Sequence, residues 1–218
     1  MNNLIFVSHT IIIALTTVFA TRLGVHFVIS TLAVFGILAN LFVLKQISLF
    51  GLEVTSADVF IVGISLGLNL LQEKFDKNTA QLAVWVSFWC LLVYTVLSQF
   101  QVWYLPNSLD TMHAYFLALF TLTPRLTIAS LTSYLVSQTI DVNLYAHLKK
   151  YAKCSAIIRN FSTIAVSQLA DTIIFSLLGL YGLGYHLMHI IVFSYCVKLM
   201  AITLAILVTT GLKKFIKL

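Results

Sequence analysis

Runs such as TIIIALTTVFA at 10–20 and WVSFWCLLVYTVL at 85–97 follow one apolar residue with another, without alternation and without charge. A helix needs about 20 mostly apolar residues to cross about 30 Å of hydrocarbon. Seven stretches meet that length, near 4–21, 25–45, 55–72, 80–100, 113–137, 156–180 and 187–211. Strands of a membrane barrel would instead alternate over about ten residues. The sequence therefore predicts an all-α polytopic membrane protein: about seven transmembrane helices in a single transmembrane domain covering residues 1–218. Composition agrees, with 60% hydrophobic and 9% charged residues, where soluble domains carry about a quarter charged. The first run lacks a preceding basic stretch and a following small-x-small cleavage site, so it reads as a retained helix rather than a signal peptide.

Lys and Arg set the orientation. Arg22 follows the first run; Lys74 and Lys77 follow the third; Lys149, Lys150, Lys153 and Arg159 follow the fifth; Lys213, Lys214 and Lys217 follow the seventh. The alternate loops hold only Lys45, and QVWYLPNSLDTMH and LYGLGYHL hold neither residue type. This predicts an outside amino terminus and a cytoplasmic carboxyl terminus. The net charge of +6 is then topological, suited to a lipid bilayer and not to nucleic acid. Cys90, Cys154 and Cys196 have no paired spacing, which argues against a disulfide framework or thiolate metal site. There is no Gly-x-x-x-x-Gly-Lys phosphate loop, no His-Glu-x-x-His and no nucleophile elbow, so neither an ATP motor nor an enzyme is evident and no cofactor is implied.

Polar residues inside apolar runs carry the functional signal. Counted at about 1.5 Å per residue, Arg125 and Lys198 fall near mid-membrane and Asp171 a little outward. A charge at such depth costs about 3 kcal/mol or more, so it faces protein or a wet cavity and is paired. Gln138/Asp141 and Gln168/Asp171 are i,i+3 pairs, and Asn69, Gln72 and Glu73 share one helix side. Ser130, Tyr134 and Gln138 continue a stripe along the fifth helix. Pro124 predicts a kink that frees a carbonyl near residue 120 beside Arg125. The plain alternative is that these amides and hydroxyls only bond neighbouring helices, or that the charges form an inert ion-pair network. Asp141 and Glu73 read as near the cytoplasmic helix ends, where water and lysines suffice for them. Asp58 reads as an outer guard or a simple acid at a helix start. His186 and His189 form an H-x-x-H without a nearby acid or thiol, a poor metal site, and Trp85, Trp89 and Trp103 read as interface belt.

The segments ANLFVLKQISLFG, LNLLQEKF, PRLTIASLTSYLVSQTIDV, RNFSTIAVSQLADTIIF and YCVKLM, in this order from Asn40 to Lys198, resemble the queuosine precursor transporter family, also known as the vitamin uptake transporter family. The resemblance implies a bacterial inner-membrane importer of a 7-deazaguanine base (queuine, preQ1 or preQ0) used in tRNA modification. It also implies a six-helix core similar to the substrate-binding subunits of energy-coupling-factor transporters, with one extra N-terminal helix. It marks Asn40, Glu73, Arg125, Ser130, Gln138, Asp141, Arg159, Asn160, Ser162, Gln168, Asp171 and Lys198 as family-type polar positions. The chain departs from the pattern at Asn69, where many members have Asp, and at Val208-Thr209-Thr210, where many have Thr-Pro.

Such a base has an N1–H/2-amino donor edge and an O6 acceptor. On this view Asp171 or Glu73 reads the donor edge, and Gln138, Gln168 and Asn160 supply further hydrogen bonds. Arg125 and Lys198 hold the acids ionised or meet O6, Tyr134 offers a stacking face, and Asn69, Gln72 and Ser130 complete the lining. Another vitamin or nucleobase as cargo, and a non-transport membrane subunit or membrane enzyme, stay as alternatives. Homo-oligomerisation is left open by the sequence, as is recruitment of an ATPase.

Overall fold

The computed structural model describes residues 1–43, 45–121, 124–151, 155–181 and 187–216, and of 53, 124–127, 180 and 213–216 the backbone alone. Two long helices, α1 (Asn2–Leu23) and α2 (Val25–Phe42), are followed by a hairpin of β1 (Gln46–Leu49) and β2 (Leu52–Thr55). Then come α3 (Asp58–Lys74), α4 (Lys77–Trp103), the short α5 (His113–Phe120), α6 (Pro124–Tyr151), α7 (Ala156–Phe175) with a π-helical turn over Ser176–Leu180, and α8 (Leu187–Ile216).

Helix α3 is the axis of the molecule. It packs against α1, α2, α4, α6, α7 and α8, and 14 of its 17 residues are buried. Small residues allow this close wrapping. A Cβ on Gly63 would lie 2.4 Å from Ile13 Cγ2, and one on Gly67 would lie 2.5 Å from Leu32 Cδ2, so a side chain at either position would displace those of α1 and α2.

Among the described residues, five helices are long and apolar enough to cross a membrane: α1, α2, α4, α7 with its π-turn, and α8. The two remaining members of the expected seven differ for physical reasons. Helix α3 is about 25 Å long at 1.5 Å per residue and is shielded on all sides. The expected helix at 113–137 is not one element: it breaks after Phe120, restarts at Pro124 and runs on to Tyr151. Proline suits a first helical turn, where its missing N–H has no partner to lose. The freed carbonyl expected near residue 120 is that of Phe120, and the Gln99 side chain of α4 donates to it at 2.9 Å.

The extension of α6 past residue 137 is invisible to hydropathy because its buried face is polar. Gln138, Asp141, Val142 and Tyr145 are buried at i, i+3, i+4 and i+7, a helical rhythm with few apolar members. The hairpin is equally hidden, since four-residue strands are too short to show alternation. Its turn residues Phe50 and Gly51 both have positive φ, 52° and 82°, as a type I′ turn requires. The start of α1 holds the hairpin: Asn3 Oδ1 accepts the Phe50 N–H at 3.1 Å and Asn2 Nδ2 donates to Ser48 O at 3.2 Å. At the opposite, Lys-rich end, Asp76 caps α4 by accepting the Thr79 N–H at 2.7 Å. That bond holds the exposed carboxyl below its usual range.

Candidate functional site

Side-chain pairings between α3, α6 and α7 form successive polar layers, each about one helical turn from the next. In the first, Ser65 Oγ donates to Gln138 Oε1 at 3.1 Å and accepts from Gln168 Nε2 at 3.2 Å. In the second, Asn69 Nδ2 donates to Thr163 Oγ1 at 3.0 Å, and Thr163 donates onward to the Asn160 carbonyl at 3.2 Å. In the third, Glu73 accepts from Arg159 at 2.7 Å and from the Tyr145 hydroxyl, with the guanidinium 5.0 Å above the Tyr145 ring. Lys149 closes that end by donating to the Gln72 carbonyl at 2.5 Å, where the helix dipole of α3 favours a cation.

These partners also fix direction. As α3 advances from 65 to 73, α6 advances from 138 to 145 while α7 retreats from 168 to 159. The duplicated Ser-Gln-x-x-Asp pieces at 137–141 and 167–171 therefore meet at one level through their glutamines, both on Ser65. Their aspartates then diverge, Asp141 toward the Lys-rich end and Asp171 toward the hairpin end. The expectation that Asp141 stands near a helix end, served by water and lysines, is corrected here. With α6 continuing to Tyr151, Asp141 lies well inside the helix and is wholly buried.

Toward the hairpin end, Lys198 of α8 lies 2.8 Å from Asp171 and 3.7 Å from Asp58. It also donates to Thr172 at 3.1 Å, and Ser194 donates to Asp58 at 3.2 Å. Asp58 is thus drawn into a buried ion cluster with Asp171 and Lys198, the place that the sequence suggests for Arg125. Arg125 stands in the first turn of α6, and its side chain lies outside the described residues. His186 also lies outside them, while His189 stacks on Phe193 within α8.

Hydroxyls and amides differ in how they are satisfied. In α1, Thr10, Thr17 and Thr21 each donate to their own i−4 carbonyl, the self-contained bonding that needs no second function. In the layered region, buried atoms without a partner gather instead: Asn69 Oδ1, both carboxamide atoms of Gln72, both oxygens of Asp141, Asn160 Oδ1 and Gln168 Oε1. Tyr134 of α6 is buried with its hydroxyl beside Ser87 of α4, and Ser130 is half-buried one turn before it. Buried polar groups in native proteins are otherwise bonded, so this concentration singles out the α3, α6 and α7 interior among the described residues. A cleft of about 340 Å³ lined by Gln72, Phe75, Asp76, Lys77, Ala146, Lys149 and Lys150 opens at the Lys-rich end and reaches Gln72. Another depression, about 380 Å³ beneath the hairpin at Asn2, Asn3, Ser48 and Phe50, holds none of these groups.

Ser65, Thr163 and Tyr145 belong to these layers although the sequence does not single them out. Each carries a signal: Ser65 lies four before Asn69, Tyr145 lies four after Asp141, and Thr163 lies three after Asn160, all at helical spacing.

A multi-pass helical protein with apolar outer helices and a polar interior is built as membrane carriers are built. Residues 55–212 match the family model described as "Putative vitamin uptake transporter", and the chain belongs to that family. It is 34% identical over 165 residues, 73% of this chain and 72% of the relative, to a "Probable queuosine precursor transporter" of Bacillus subtilis (strain 168). No solved structure matches.

Proposed function

We propose that the chain imports a 7-deazaguanine precursor of queuosine across the bacterial inner membrane. It crosses seven times, α5 and α6 together making one crossing, with the amino terminus outside and the Lys-rich end in the cytoplasm. The observation that carries this reading is the gathering of unpartnered buried polar atoms on α3, α6 and α7, deep within apolar surroundings. The name of the Bacillus relative supports the cargo. Asn69, Gln72, Gln138, Asn160 and Gln168 line the site, with Ser130 and Tyr134 toward its α4 side. Glu73 and the Asp171–Lys198 pair brace its two ends, and Arg125 adds positive charge at the start of α6. The cleft at Gln72 is the cytoplasmic mouth.

Complementation tests the proposal. The chain is expressed in a strain that cannot make queuosine and lacks its own importer, and each precursor is supplied in turn. Restored queuosine in tRNA is the expected result; no restoration by any precursor, with the chain present in the membrane, refutes it. A second reading keeps the carrier and changes the cargo to a vitamin, as the family description suggests. Competition of labelled queuine uptake by preQ0, preQ1, guanine and vitamins separates the two.

A further inference from the structure

We propose that Asp141 is the specificity-determining residue: its two carboxylate oxygens accept the N1–H and the 2-amino group of the 7-deazaguanine base. This rests on the carrier reading above and adds the recognition step. Asp141 is fully buried, and among the described residues neither oxygen has a hydrogen-bond partner of good geometry. Its level is fixed from both sides, because Gln138 one turn before it meets Ser65 and Tyr145 one turn after it meets Glu73.

The hydroxyls nearest it, those of Ser65 and Thr163, interact with Asp141 but are shared, Ser65 also donating to Gln138 and Thr163 to the Asn160 carbonyl. The nearby cations are committed too, Arg159 to Glu73 and Lys198 to Asp171 and Asp58. Arg125 lies sixteen residues earlier on the same helix, about 24 Å along its axis. A buried carboxylate with no cation and only shared hydroxyls is costly, and this one is positioned to take its donors from a ligand. Among the described residues the unpartnered atoms around it are more often acceptors, Asn69 Oδ1, Asn160 Oδ1 and Gln168 Oε1, with Gln72 offering both kinds and Arg159 Nε one donor. Such an excess of acceptors beside a carboxylate fits a neutral or cationic, donor-rich molecule better than an anion. Two adjacent oxygens match the two adjacent donors of a guanine-type edge. Asp171 and Glu73, the acids favoured from sequence, are already engaged by the chain's own cations.

The test is equilibrium binding to the full chain in lipid nanodiscs. The ligands are 7-aminomethyl-7-deazaguanine and its analogue lacking the 2-amino group. The wild type is expected to bind the parent about tenfold or more tightly than the analogue, and Asp141→Asn to weaken the parent by about a hundredfold. In that variant, discrimination between the two ligands falls within about threefold. The ligand-free variant unfolds at the same or a higher temperature, because a lone buried charge has been removed. Asp141→Glu, which keeps both oxygens, retains discrimination and serves if the Asn variant does not fold. A wild type indifferent to the 2-amino group overturns the inference without any variant. A folded Asp141→Asn with wild-type affinity and discrimination overturns it while leaving the carrier reading intact. A wild type that binds neither compound, nor queuine nor 7-cyano-7-deazaguanine, overturns both.

Discussion

Replacing Lys198 by Met should be far more damaging than replacing either acid it touches. Among the described residues the cluster holds two carboxylates and one ammonium: Lys198 Nζ is 2.8 Å from Asp171 and 3.7 Å from Asp58, and all three residues are buried. Its net charge is −1. Asp171→Asn brings it to zero and leaves Lys198 with Asp58 and Thr172, so the loss is about one charged hydrogen bond, roughly 1.5–3 kcal/mol. Lys198→Met brings it to −2 and strands two acids together. Removing one partner of a buried pair costs about 3–5 kcal/mol, and here two acids lose the same partner. For a chain of this size that corresponds to a fall in Tm of about 6–20 °C. The double variant Lys198→Met/Asp171→Asn strands only Asp58, which keeps Ser194, so its cost should be less than the sum of the singles by about 0.5–3 kcal/mol. Thermal unfolding of the three purified proteins in one detergent measures all of these. Additive single effects, or a Lys198→Met variant within about 3 °C of wild type, a shift worth only about 1 kcal/mol, would refute a charge-compensated cluster.

Further expectations concern other parts of the molecule. Gly67→Val places a side chain where even a Cβ would sit 2.5 Å from Leu32; overpacking there should cost about 1–3 kcal/mol, read as a lower Tm at unchanged secondary structure by circular dichroism. Gln99→Leu removes the donor to the Phe120 carbonyl at the α5–α6 break and should cost about 1 kcal/mol in the same assay. The Asp76 cap, whose pKa is depressed by the Thr79 N–H, contributes stability above pH about 4 that is lost as pH falls through its folded value. The Tm difference between wild type and Asp76→Ala should accordingly shrink on acidification. In a cysteine-free background, a cysteine at Leu109 should react with a membrane-impermeant maleimide in intact cells and one at Asn78 should not; the reverse pattern would invert the topology. At matched membrane expression Asp171→Asn should keep uptake within about tenfold of wild type, an allowance of about 1.4 kcal/mol, while Asp141→Asn abolishes it.

Sequence alone determined which segments are apolar enough to enter a bilayer, because the cost of burying a residue in lipid is local and nearly additive over about 20 positions. It also marked Asn69, Gln72, Gln138, Asn160, Gln168, Asp171 and Lys198 as polar residues in the wrong solvent. What it could not decide is which of them satisfy one another. That depends on the rotation and relative direction of packed helices. The two Ser-Gln-x-x-Asp pieces are alike as text, yet α6 and α7 run in opposite directions past α3. Their glutamines therefore share Ser65, while Asp171 reaches Lys198 and Asp141 reaches no cation. The continuation of α6 through Tyr151 was hidden for a related reason, since its buried face is polar and hydropathy scores residues without knowing what they face. Pairing is a property of three-dimensional neighbours, and only the tertiary structure separates Asp171, held by Lys198, from Asp141, which meets no cation among the described residues.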